Sequence, residues 1–383
     1  MTKTLPLDGV LVVSLEQAIA APYATRQLAD LGARVIKIER PGEGDFARAY
    51  DRRVRGLASH FLWCNRSKES VCLDLKSEAG RRALRGLIAR ADVLMQNLAP
   101  GALERLGFAP QALREAHPRL IVCGISGYGS DGPHRDRKAY DLLIQAEAGL
   151  LSVTGEGPNM AKVGISIADI AAGMYAYTGV LTALLRRQQT GEGAILDISM
   201  LEALGEWMGF PMYYTFEGQP PPPRAGASHA TIYPYGPFRA GPARSVMLGL
   251  QNEREWASFC RDALGRPELI DDPRFDSNVA RSEHRQDLTA IIEGVFAELG
   301  AEAVVARLDA AGVANANVST PADFWAHPQL KARGRWREIG TSAGTVPALL
   351  PPGLPVDLEP RMDPAPALGA HTAAVMKEFG LEG

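Results

Sequence analysis

The sequence predicts an α/β protein with two domains, a large one built on an open, mostly parallel sheet with helices on its faces and a smaller α+β one. Three observations carry this expectation. Short apolar runs alternate with longer segments of helical period through the first half of the chain. The composition turns proline-rich at 218–226 and again at 347–366, which neither a sheet nor a helix could absorb. At 383 residues, the chain also exceeds the size at which a single core usually stops growing. The expected division is a large domain over 1–217, completed by 336–383, and a small one over 218–335 with its linkers.

Val10-Leu-Val-Val-Ser-Leu15 is an apolar run suited to a buried parallel strand, 20–31 has helical spacing, and Val35-Ile-Lys-Ile-Glu-Arg40 reads as the second strand. This β-α-β opening is Rossmann-like, and Glu39 ends the second strand about where an acid would hold a ribose hydroxyl. The first turn, Glu16-Gln-Ala-Ile-Ala-Ala-Pro22, contains no glycine, so it makes no provision for close approach to a pyrophosphate. An arginine-rich loop over 41–55 follows, and 65–76 ends in a short strand. Helical period over 78–91 leads to strands at 92–97 and 120–123, a sixth strand candidate at 194–199, and a long apolar helix from 200 to about 216. Beyond the first linker come a strand at 245–250 and helices at 252–264, 283–299 and 301–311, with a terminal helix at 371–378.

Between the fifth and sixth strands lies a helix with one acid at its mouth. Asp169 is the only charge between Lys162 and Arg186, and it stands where an N-cap or first-turn residue is expected. The helix dipole and the free N–H groups of the first turn would favour its ionised form at neutral pH. Ala168, Ala171, Ala172 and Gly173 leave room for a ligand. Taken locally, a plain helix cap accounts for the acid equally well.

Several classes of function are disfavoured. A net charge of −3 with both signs interspersed argues against a nucleic-acid surface. The four cysteines form no CxxC pair or framework, which reads as reduced thiols in a cytoplasmic protein. The N-terminus has no apolar signal core, and the uncharged run after Asp169 falls short of the roughly 20 residues that cross a bilayer, so no membrane partner is expected. The seven histidines are scattered, so no metal site is expected. Gly124-Ile-Ser-Gly-Tyr-Gly129 misplaces the second glycine of a nucleophile elbow.

A set of motifs resembles the class III CoA-transferases, the family of formyl-CoA transferase and the carnitine CoA-transferases, whose fold is shared with α-methylacyl-CoA racemase. They are Asp8-Gly9, Ala21-Pro22, Leu31 through Pro41, Gly42-x-Gly-Asp45, Asn97-x-x-Pro-Gly101, Gly124-x-x-Gly-Tyr-Gly129, Tyr140-Asp141 and Ala168-Asp169. Trp256, Asp272-Pro-Arg-Phe275, Arg281, His327-Pro-Gln-Leu330 and Leu368-Gly-Ala-His-Thr372 continue the likeness to the end. The resemblance implies a two-domain subunit whose C-terminal segment returns to the large domain, and two ring-shaped subunits interlocked as a homodimer. It places the catalytic carboxylate on Asp169, which would attack an acyl-CoA thioester to give a mixed anhydride and then carry coenzyme A as an aspartyl thioester. It places coenzyme contacts on Ala18, Ala20, Arg40, Leu73, Lys76, Asn97, Leu98, Arg105 and Lys138. Coenzyme A enters as substrate, with no tightly bound cofactor, and the partners are an acyl-CoA donor and a carboxylic acid acceptor. Helix-end N–H groups could steady the oxyanion of each step.

The chain departs from formyl-CoA transferase at Ile19, where that enzyme has a glutamine, and at Tyr233-Pro-Tyr-Gly236, which replaces its glycine-only loop. Tyr140 and Asp141 are read as substrate contacts, with core packing the competing reading of Tyr140, which stands where the racemase motif has histidine. A tyrosine with its ordinary pKa near 10 is a poor base for α-proton removal, so a racemase is the lesser alternative, as is an NAD-linked oxidoreductase. Arg48 and Arg52 in the basic loop, and Arg66 after it, could clamp a second carboxylate bidentately. That points to a small dicarboxylic acceptor, whereas the competing reading is a solvated basic loop.

Overall fold

The computed structural model describes residues 4–241 and 244–382. Met1 to Lys3, part of the stretch read for a signal core, and Gly383, the end of the expected 336–383 segment, lie outside the described residues. The chain divides into two compact units, Met1–Leu150 with Val163–Gly209 and Leu330–Gly383, and Leu151–Lys162 with Phe210–Gln329. The divisions thus fall at Phe210 and Leu330 rather than 218 and 336, and the second unit takes the short Leu151–Lys162 segment as well.

The first unit is organised by a six-stranded parallel sheet of β1 (Leu11–Leu15), β2 (Arg34–Glu39), β3 (Lys68–Cys72), β4 (Val93–Gln96), β5 (Ile121–Ser126) and β6 (Ile195–Ser199). Their order is β3-β2-β1-β4-β5-β6, the doubly wound arrangement, with the switch point between β1 and β4. Its helices include α1 (Ala20–Asp30), α2 (Glu78–Ile88), α3 (Asp141–Glu147), α4 (Ile167–Thr190) and α5 (Met200–Trp207). Strand period splits the apolar residues between two faces. Val12, Val35, Val93 and Met95 pack against Ala24 and Leu28 of α1 and Ala172, Ala176 and Val180 of α4. Val13, Ile36, Ile38 and Leu94 pack against Leu84, Leu87 and Ile88 of α2.

α4 starts at Ile167, so Asp169 is its third helical residue rather than its cap, and Ser166 at the N-cap makes no side-chain capping bond. It ends at Gly191, whose left-handed backbone (φ 77°) closes the helix. By length and composition alone its 24 residues would suffice to cross a bilayer, which the uncharged run by itself did not suggest. Here Ala168, Ala172, Ala176 and Val180 are fully buried, as befits a core helix. α1 and α4 approach so closely that a Cβ on Gly173 would meet the carbonyl oxygen of Ala20 at 2.7 Å.

The long apolar helix expected from 200 to about 216 is broken into α5 and Gly209–Tyr214, where Gly209 and Pro211 interrupt the ladder. A hairpin of Trp336–Thr341 with Gly344–Leu349 precedes the last helix, Thr372–Glu378. That helix is tied to β3 by His371 N–H to the Ser70 carbonyl (3.0 Å) and Cys72 N–H to Thr372 Oγ1 (2.9 Å). The second unit holds a three-stranded antiparallel sheet of Tyr235–Arg239, Ser245–Gly249 and Ala314–Asn317. Trp256, Phe259, Phe275 and Phe296 fill its core.

Candidate active site

Because β1 to β5 run parallel, the segments that follow them emerge on one edge of the sheet, the edge at which open α/β sheets bind ligands. Arg40 follows β2, Lys76 follows β3, Arg105 lies beyond β4 and Lys138 beyond β5, and all four are exposed. Arg40 is paired with Glu43 at 2.7 Å. Leu98 lines a recess of about 420 Å³ with Gln96, Gly101, Gly124, Ser126 and Asp197. Ala20 and Leu73 do not present side chains here. Both are buried in the core, which leaves only their backbone for a ligand.

At the switch point the β1–α1 turn is held from two sides. Gln17 N–H donates to Asn97 Oδ1 (2.8 Å), and Asn97 Nδ2 donates back to the Gln17 carbonyl (2.9 Å), so the expected coenzyme ligand Asn97 is engaged by the turn itself. Ala18 has a left-handed backbone (φ 59°), and its N–H donates to Asp45 Oδ1 at 3.0 Å.

Asp169 is partly buried, and its carboxylate accepts no hydrogen bond and meets no cation among the described residues. The N–H groups expected to stabilise it serve another acid. Asp141 Oδ1 accepts from Ala168 N–H (2.8 Å) and, more weakly, from Asp169 N–H (3.3 Å). Its Oδ2 accepts from Nε2 of the fully buried Gln145 (2.6 Å), whose Oε1 accepts from Val163 N–H (3.1 Å). Three expectations change as a result. Asp141 caps α4 from outside the helix and is not a free substrate ligand. These first-turn N–H groups are not open to an oxyanion. Asp169 is not a readily ionised carboxylate either, since burial, followed by the charge of Asp141, pushes its carboxyl up to about 7.

Tyr140 is 67% exposed, which removes the reading of it as core packing. Tyr50, which no motif in the sequence marks, lies in the loop after β2 with its ring against Phe46 and His60. Burial, with Asp45, Asp169 and Tyr140 nearby, pushes its phenol up to about 12.

The guanidinium clamp is not formed as expected. Arg48 donates to both oxygens of Glu39 (2.8 and 2.7 Å) and lies 3.7 Å above the Phe61 ring. Arg66 donates to both oxygens of Asp30 (2.8 and 2.6 Å) and is 4% exposed. Each is spent on a buried carboxylate. Arg52 alone of the three is exposed. Glu39 is equally committed. Against its burial, Arg48, Lys37 and Ser70 hold its carboxyl down at about 2, so it is not available to a ribose.

Residues 7–372 match the family described as CoA-transferase family III. The chain belongs to that family. As a family III member it is an enzyme that transfers coenzyme A. It is 34% identical to an acetyl-CoA:oxalate CoA-transferase of Acetobacter aceti over 381 residues, covering 98% of this chain and 96% of that one. It is 32% identical to the succinyl-CoA:glutarate CoA-transferase of Homo sapiens, covering 99% of this chain and 87% of the relative. A CAIB/BAIF family protein from Brucella suis superposes with a TM-score of 0.88 at 34% identity, over 98% of this chain and 100% of that structure.

Proposed function

We propose that this CoA-transferase moves coenzyme A from an acyl-CoA donor to a small dicarboxylic acid, with Asp169 as covalent nucleophile. The observation that carries the reading is a partly buried carboxylate at the mouth of α4 that, among the described residues, is neither hydrogen-bonded nor ion-paired. A carboxylate stabilised by a cation would be a poor nucleophile, whereas a raised pKa marks a more basic oxygen. One Asp169 oxygen attacks the thioester carbonyl, and the thiolate leaves to give a mixed anhydride. The thiolate then attacks the aspartyl carbonyl, releasing the donor acid and leaving the coenzyme on Asp169. The acceptor carboxylate attacks that thioester and expels the thiolate, and attack of the thiolate on the acceptor carbonyl forms the new acyl-CoA and frees Asp169. Each step breaks one acyl bond and forms one.

The acceptor class is supported by relatives that act on oxalate and glutarate and no longer by Arg48 or Arg66, which are committed elsewhere. The exposed cations Arg40, Lys76, Arg105 and Lys138, in the segments that follow β2 to β5, suit the coenzyme phosphates. A homodimer belongs to the same reading, supported by the exposed aromatic residues Phe210, Tyr213 and Phe216, and light scattering tests it. For the chemistry, enzyme incubated with acyl-CoA and then hydroxylamine should lose activity and carry a hydroxamate at Asp169, while Asp169→Ala is inert. Turnover by the alanine variant, or an unmodified Asp169, would overturn the mechanism.

A further inference from the structure

The Gln17–Ala18 peptide is clamped at both ends. Its carbonyl accepts from Asn97 Nδ2 at 2.9 Å, and its N–H donates to Asp45 Oδ1 at 3.0 Å. Ala18 has φ 59°, a conformation that a residue bearing a Cβ rarely adopts unless its surroundings impose it. Asp45 is well suited to impose it. It is fully buried, its Oδ1 also accepts Ala47 N–H (2.9 Å), and its Oδ2 accepts from Lys37 Nζ (2.7 Å). Gln17 Oε1 in turn accepts Phe46 N–H (3.1 Å), which stitches the 45–47 loop to the turn.

Lys37 is itself held from below. Glu16 Oε1 lies 3.3 Å from Lys37 Nζ and 2.7 Å from Lys68 Nζ, and all of these side chains are buried. Such a network is costly to desolvate and weak evidence for stability alone. Its upper end reaches the backbone at the switch point between β1 and β4, the crevice in which open α/β sheets seat their ligands.

We propose that Asp45 is a positioning residue for the coenzyme: anchored by Lys37, it holds Ala18 in the left-handed conformation that gives the switch-point turn its binding shape. The proposal rests on the coenzyme lying at this edge and not on the covalent role of Asp169. It is therefore tested by binding of coenzyme A itself, measured by calorimetry on the full-length protein alongside melting temperature. Asp45→Ala should weaken binding about tenfold, since small displacements of a binding surface have effects of this size. Ala18→Gly supplies the left-handed form without help from Asp45, because glycine adopts it unaided. Combined with Asp45→Ala, it should restore much of the loss. Asp45→Asn keeps the acceptor for the Ala18 and Ala47 N–H groups but removes the charge facing Lys37. It should therefore melt earlier yet bind coenzyme A within a few-fold of the parent, and it serves where Asp45→Ala does not fold. Parental affinity in Asp45→Ala, a loss that Ala18→Gly leaves unchanged, or a loss in Asp45→Asn as large as about tenfold would overturn the proposal. Hydroxylamine labelling of Asp169 is read separately, so failure here is distinct from failure of the covalent mechanism.

Discussion

Two carboxylates at the mouth of α4 divide the labour. Asp141 takes the helix N–H groups, and Asp169 is left without them, burial and its acidic neighbour pushing it up to about 7. Because the proposed nucleophile must be ionised, kcat/KM is expected to rise with pH through about 7, measured with a fixed acyl-CoA and acceptor pair. Asp141→Asn removes the negative neighbour, so the rise should move to lower pH. An unmoved profile would mean that burial alone sets Asp169. The same shift has a consequence for stability. The native state keeps a proton that the unfolded chain loses between pH 3.8 and about 7, so this group makes the fold less stable as pH rises through that window. Asp169→Asn should accordingly melt higher than the parent at pH 8 and show no difference below 3.8. Arg66 behaves in the opposite way to a substrate clamp. Its removal strands part of the charge of Asp30, which keeps only Arg26 (3.0 Å). Arg66→Ala should cost about 2 to 3 kcal/mol in urea unfolding and leave the KM of the acceptor acid unchanged.

At the scale of the element, the decisive feature is the face of β1, β2 and β3 that carries Ser14 and Glu16, Lys37 and Glu39, and Lys68 and Ser70. Near the start of β1 and β2 the face is apolar and packs with α1 through Val12 and Val35, while β3 opens on Lys68 opposite Val35. Toward their C-terminal ends it becomes a buried ionic layer beneath the loop that carries Asp45. Burial lowers the Lys68 ammonium to about 8 despite Glu16, whereas the acids around Lys37 outweigh its burial and raise it. Removing Lys37 leaves the buried Asp45 without its cation, while Glu16 keeps Lys68. Lys37→Met should destabilise the protein by about 3 kcal/mol or more, seen as a lower melting temperature. The period-2 alternation in Val35-Ile-Lys-Ile-Glu39 was legible as a strand. That its charged positions would be satisfied inside the molecule was not, because their partners lie on β1, β3 and the following loop.

For the whole molecule, substrate choice remains the property to measure. A matrix of acyl-CoA donors against acids, read by mass spectrometry, should show transfer to small dicarboxylates and little to monocarboxylates of equal length. Efficient transfer to monocarboxylates with dicarboxylates inert would refute the proposed acceptor class. Arg40→Ala and Lys76→Ala should raise the KM for acyl-CoA, by amounts that shrink with added salt, because both cations are exposed and screened. A fall in kcat at constant KM would instead place them at the reacting carbonyl.

The sequence by itself determined the order of strands and helices, the helix with its lone acid, and the family, because hydrophobic period and motif spacing are local and survive in one dimension. It also determined which chemistries to set aside, since the glycine-free turn at Glu16 to Pro22 and the scattered histidines are matters of composition. Only the tertiary structure decided what each charge does. Arg48, Arg66, Asp141 and Asn97 all had the residue types of a binding site, yet each is engaged by another element of the fold: Glu39, Asp30, the α4 N-terminus and Gln17. Asp169 shows the physical reason most plainly. Its dipole environment could be read from its place on a helix, but its protonation depends on solvent exclusion and on Asp141, 28 residues earlier in the chain, and both exist only once the chain has folded.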